Sequence, residues 1–137
     1  GRFTFTKFNE LEECGITNSL NNPWKCGGID RGLNQIRLKV KNFGELIQLT
    51  KSEFYIITFP WPETLAYGQD VFNWENFIDD LCKEAKCKKV ISLFEEFNEV
   101  KEKRKGDWLD FLYVPGDFHL TNKGNELVAT KILKEAF

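Results

Sequence analysis

Tyr113-Val114-Pro115-Gly116-Asp117-Phe118-His119-Leu120-Thr121-Asn122-Lys123-Gly124-Asn125-Glu126-Leu127-Val128-Ala129 is the stretch on which the reading of this chain turns. The run Phe111 to Val114 that leads into it reads as a short apolar strand. Pro115-Gly116 breaks that run. Thr121 or Asn122 can then cap a helix in which Leu127, Val128, Ile132 and Leu133 recur at helical spacing. Asp117 and His119, the only histidine in the chain, would sit on a turn between a strand's C-terminal end and a helix's N-terminus. Open α/β sheets form their sites there. An imidazole beside a carboxylate is a general base with its tautomer fixed. The bland alternative is a surface histidine on a turn whose aspartate caps the helix.

Upstream, apolar strands alternate with amphipathic helices. Asp30 can cap a helix running to about Thr50, with Leu33, Ile36, Val40, Phe43 and Ile47 as its buried stripe and Arg31, Arg37, Lys39 and Lys41 as its wet face. Phe54 to Phe59 is a continuous apolar strand, of the kind that suits a parallel sheet covered on both faces, and Pro60-Trp61-Pro62 ends it. A loop to Asp70 leads into a second helix, Val71 to Ala85, with Phe72, Phe77, Ile78, Leu81 and Cys82 inward. Lys89 to Phe94 is a second buried strand, and Glu95 to Lys105 a short helix or lid anchored by Phe97 and Val100. The alternation predicts an α/β fold, a three-layer parallel sheet with helices on both faces and strands at 54–59, 89–94 and 111–114. Residues 1–29 read as an extended arm and loop: residues 2–8 alternate around Phe3 and Phe5, Glu10–Glu13 suits one helical turn, and Trp24 is expected to pack on the core. Residues 30–137 read as the core of the single domain.

Composition narrows the function. The 137 residues, 42% hydrophobic and 15% aromatic, suffice for one real core, built without methionine and with thirteen phenylalanines. A net charge of −2 with mixed signs offers no basic field for nucleic acid. No apolar run approaches the ~20 residues a membrane span needs, and no charged segment followed by an apolar one marks a signal peptide. Cys14, Cys26, Cys82 and Cys87 lack a Cys-x-x-Cys spacing, so neither a structural zinc site nor a thioredoxin-like motif is expected. Two disulfides, Cys14–Cys26 and Cys82–Cys87, are compatible with the short spacings, although three pairings exist and four reduced thiols are the alternative. Disulfides would favour an exported protein. No Gly-rich phosphate loop follows any strand, so no cofactor is expected.

The apolar run, then Pro-Gly-Asp-x-His-Leu-Thr-x-x-Gly, then a helix opening Glu-Leu-Val-Ala resembles the last conserved block of the SGNH, or GDSL-type, hydrolases. The resemblance implies that His119 is the base of a Ser-His-Asp triad and Asp117 its orienter. It also implies a fold of flavodoxin-like, SGNH-like topology that this chain does not complete, and an acyl-ester substrate, acylated carbohydrate included. Most members space the pair as Asp-x-x-His; this chain has Asp-x-His, a variant found in relatives that include polysaccharide O-acetyltransferases. Members open with a Gly-Asp-Ser nucleophile turn, which is absent here. The serines are Ser19, Ser52 and Ser92. Ser92 falls inside a predicted strand and Ser52 just before one. Ser19 lacks a strand–turn–helix setting. Asn18 or Asn21 could donate to an oxyanion, although loop asparagines usually serve turns. The expectation is therefore the C-terminal portion of a longer domain, with the nucleophile on an N-terminal half outside this chain. The competing expectation is a non-catalytic α/β domain that binds glycan or protein through Trp24, Trp61, Tyr67 and Trp74.

Overall fold

A computed structural model describes residues 28–70 and 72–137. The expected strand at 2–8, the turn at Glu10–Glu13, Cys14, Cys26, Trp24, Asn18, Ser19 and Asn21 all lie outside the described residues. In order, the elements are α1 (Gly28–Thr50), β1 (Tyr55–Thr58), α2 (Pro62–Tyr67), α3 (Trp74–Ala85), β2 (Lys89–Ser92), α4 (Phe94–Arg104), α5 (Trp108–Leu112) and α6 (Asn122–Ala136).

The three-layer parallel sheet, with its flavodoxin-like and SGNH-like topology, is not what forms. The described chain is helix-dominated, and its one sheet has two strands. Those two are parallel, with Tyr55 opposite Lys89 and Thr58 opposite Ser92. Helical packing covers only part of the sheet, since Ile57 is 41% exposed. The expected third strand at 111–114 does not form: Phe111 and Leu112 end α5, and Tyr113 is extended in an isolated antiparallel bridge to Leu120. The Phe111 amide donates to the Asp107 carbonyl (3.1 Å) and the Tyr113 amide to the Leu109 carbonyl (2.8 Å), so donors that a ladder would need are spent within the turn. The signal lay one turn earlier. Trp108, Leu109, Phe111 and Leu112 hold the i, i+1, i+3, i+4 pattern of a helix face, with Asp110 outward. Reading only 111–114 cut that pattern in half. The expected loop before Asp70 likewise contains a helix, α2, with Pro62 in its first turn, where its missing amide costs nothing.

The core gathers Leu65 of α2, Leu93 at the N-cap of α4, Phe97 of α4, Leu112 of α5 and Tyr113, with Phe59, Trp108, Leu120 and Leu127 packed around them. Phe97, Leu93 and Leu112 are fully buried. α1 lies on α3 through a close approach: a Cβ at Gly44 would stand 2.1 Å from the Ala85 carbonyl oxygen. The expected α1 stripe is only half-buried, and Phe43 is 50% exposed while packing edge-on against Phe54 at 5.3 Å. Cys82 and Cys87 are bonded, Cα to Cα 4.9 Å, tying the last turn of α3 to the segment entering β2. On α6, Lys131 pairs with Glu96 of α4 and with Glu135, and Glu135 also meets Lys89 of β2 at 2.7 Å. The two lysines hold the Glu135 carboxyl down to about 2, Lys89 contributing most.

One buried hydrogen bond ties the segment that follows α5 to the segment that follows β1. The buried Tyr113 hydroxyl donates to the Pro60 carbonyl at 2.6 Å. Burial, aided by the nearby Glu63 charge, raises the phenol pKa and keeps the proton on the oxygen that donates it. Tyr113→Phe should cost about 1–3 kcal/mol, because it strands a buried acceptor. Urea unfolding of the two proteins checks this, and unchanged midpoints would mean the bond carries no net stability.

Candidate active site

Phe111 to Asn125 closes as a tight loop on top of α5. The Val114 amide donates to the His119 carbonyl (2.8 Å), the Thr121 amide to the Leu112 carbonyl (2.9 Å), and Tyr113 and Leu120 form an antiparallel bridge. Pro115-Gly116 makes the bend: the Asp117 amide donates back to the Val114 carbonyl at 2.9 Å, with Gly116 at φ +81°. Proline at the second position and a positive-φ glycine at the third are the residues of a type II turn. Thr121 closes the other end. Its hydroxyl oxygen accepts from the Gly124 amide at the first turn of α6, as an N-cap does, while its proton goes to the Phe111 carbonyl.

Asp117 and His119 are held together by this loop. Asp117 Oδ1 accepts from the Phe118 amide (2.6 Å), from the His119 amide (3.2 Å) and from His119 Nδ1 (2.7 Å). A carboxylate accepting from both the following backbone and a ring nitrogen is fixed in position, and it assigns the Nδ1 proton. The imidazole is otherwise open, with 77% of the side chain exposed against 42% for the aspartate, which leaves Nε2 outward. The His119 ring, then the backbone amides, hold the Asp117 carboxyl below its ordinary 3.8 against the opposing pull of desolvation. Because the folded value is depressed, the dyad's contribution to loop stability is present above the ordinary carboxyl range and is lost as pH falls through the lower folded value. Carbon-13 titration of the Asp117 carboxyl should therefore give a midpoint under 3.8 that moves up in His119→Ala. A midpoint at or above the ordinary value would mean the 2.7 Å bond is not kept.

The dyad opens on a cleft of about 370 Å³ lined by Phe59, Trp61, Phe118, His119, Leu120 and Asn125. Phe59 and Trp61 follow closely on β1, so the cleft sits off that strand's C-terminal end, not off the strand expected at 111–114, which does not form. Trp61 and Phe118 stack at 4.9 Å, and Phe118 lies over His119 at 5.8 Å. Pro60, held by Tyr113, brings these segments together across 53 positions of sequence. Sequence reasoning named Trp61 only as one of four scattered aromatics and missed Phe118, the residue between the dyad's members. Trp74 of that four packs instead against Phe72 and Phe77 at 4.7 and 6.1 Å.

No serine side chain lines the cleft among the described residues. Ser92 Oγ donates to Glu75 Oε1 at 2.7 Å, and Glu75 is itself held by Gln69 at 2.9 Å, so this hydroxyl serves the N-terminus of α3. Ser52 precedes β1, at the strand's far end from the cleft. Asn18 and Ser19 lie outside the described residues. No group of three or more histidine, cysteine, aspartate or glutamate side chains among the described residues could hold a metal ion, and no described helix is long and apolar enough to cross a membrane.

The chain matches no protein-family model, no curated protein and no solved structure.

Proposed function

We propose that Asp117 and His119 are the base half of an acyl-transfer site of the SGNH type, which hydrolyses an ester or moves its acyl group to another alcohol. The observation that carries this is the 2.7 Å contact between His119 Nδ1 and Asp117, with the rest of the ring free at the mouth of a cleft. In the reaction a serine hydroxyl gives its proton to Nε2 as its oxygen attacks the ester carbonyl. The imidazolium, stabilised by Asp117, then protonates the departing alcohol and leaves an acyl-enzyme. Water or an acceptor alcohol repeats the sequence in reverse. The serine comes from a segment beyond the described residues; within this chain that leaves Ser19, and otherwise it belongs to a further stretch of polypeptide. A non-catalytic binding domain is the second reading, favoured by the two large rings left exposed at the cleft. Turnover of p-nitrophenyl acetate separates the two: a rate that His119→Ala leaves unchanged would sink the catalytic reading.

A further inference from the structure

We infer that the stacked Trp61 and Phe118 rings are a platform for a neutral sugar ring, and that the ester handled beside it is carried on a carbohydrate. The ester part rests on the function proposed above; the platform does not. Both rings are large, apolar and more than half exposed, at 56% and 53%. Neither is loose. Trp61 stands between Pro60 and Pro62, both fully buried, and its carbonyl accepts from the Leu65 amide at 2.9 Å. The Phe118 amide is fixed on Asp117 at 2.6 Å. Rings already held in place lose little freedom when a ligand covers them, which is how exposed aromatics become binding anchors.

The rim of the platform decides what it takes. The Trp61 indole N–H and His119 Nε2 have no hydrogen-bond partner among the described residues, and the Asn125 side-chain Nδ2 makes only a 3.4 Å contact to the Leu120 carbonyl. The centre is therefore flat and apolar, and the edge carries donors and acceptors with capacity to spare. A pyranose or furanose ring has the complementary form, with C–H groups on its face and hydroxyls around its edge. A hydrocarbon acyl chain would leave those edge groups unpaired on binding, which costs affinity. None of the six lining residues is a lysine or arginine, so the cleft has no fixed cation to recognise a phosphorylated or acidic sugar. The polar groups are few and convergent, as they are in specific ligand sites.

The test is a titration of the full, nitrogen-15-labelled chain with partly O-acetylated xylohexaose, with the de-acetylated sugar, and with sodium hexanoate as a hydrocarbon chain. The Trp61 indole resonance is identified by its disappearance in Trp61→Phe, and the Phe118 amide reports on the variants. Both sugars should shift these signals saturably in the millimolar range, and hexanoate should not. Trp61→Ala should weaken binding roughly tenfold, the scale of one lost aromatic contact. Trp61→Phe, which keeps a ring, should stay within about threefold on the same scale. Hexanoate shifting the signals where the sugars do not would make this an acyl-chain pocket and overturn the inference, as would silence from both sugars. Binding needs no turnover. A chain that binds xylohexaose but whose esterase rate ignores His119 loses the acyl-transfer reading and keeps the platform; a His119-dependent esterase blind to both sugars does the reverse.

Discussion

His119→Ala should lower ester hydrolysis by about a thousandfold or more, the scale on which a general base and the nucleophile it activates are lost together. The relevant protein is the polypeptide that carries the nucleophile, assayed on p-nitrophenyl acetate. The fold should survive, because the loop is closed by backbone bonds from Val114, Asp117 and Thr121 that do not involve the ring. An exposed substitution of this kind changes stability by only about 0.5 kcal/mol. Asp117→Asn should cost less than loss of the base but still orders of magnitude, since asparagine leaves the imidazole without its tautomer partner and counter-charge. The asymmetry is itself informative. A merely structural Asp117 would make Asp117→Asn a stability variant with an unchanged rate. A rate that survives His119→Ala within about threefold contradicts the catalytic role, given the orders of magnitude a triad base supplies. If this chain by itself hydrolyses the ester, Ser19 is the first residue to replace.

Gly124→Ala should destabilise the protein and disable the site together. Two effects oppose each other. Inside a helix, alanine is favoured over glycine by about 1 kcal/mol. Here the added Cβ would stand 2.5 Å from the Leu112 carbonyl oxygen and 3.1 Å from Leu120 Cβ. Leu112 cannot withdraw freely, because the same carbonyl accepts from the Thr121 amide at 2.9 Å. Overpacking of this kind costs about 1–3 kcal/mol and more against backbone, so the clash wins. The expected result is a Tm several degrees lower and a dyad loop displaced from Trp61. Gly106→Ala is the control, since a Cβ there meets nothing within 4 Å. If the two variants melt together, α6 does not sit as close to α5 as described.

Much of the local structure, and the dyad itself, could be read from the chain. The spacing of Leu33, Ile36 and Val40, of Phe77 and Leu81, and of Leu127 and Val128 marks three helices, because amphipathic periodicity is a property of neighbouring residues. Two apolar runs separated by a helix pair in parallel, as connection length requires. Asp117 and His119 meet because they lie two residues apart on a turn that Pro115-Gly116 and Thr121 define. Tertiary structure decided the rest. Phe111 to Val114 is too short a run to distinguish strand from helix by itself; Phe111 and Leu112 complete the helix that begins at Trp108, while Tyr113 leaves it extended, bridged to Leu120 and buried in the core, so no third strand joins the sheet and the layered sheet is lost. The half-exposure of Phe43 and Ile57 depends on what covers α1 and β1, which no spacing encodes. The cleft depends on tertiary structure too, since Trp61 and Phe118 are far apart in the chain and stack only where core packing and the bond from the buried Tyr113 hydroxyl to the Pro60 carbonyl bring their segments together.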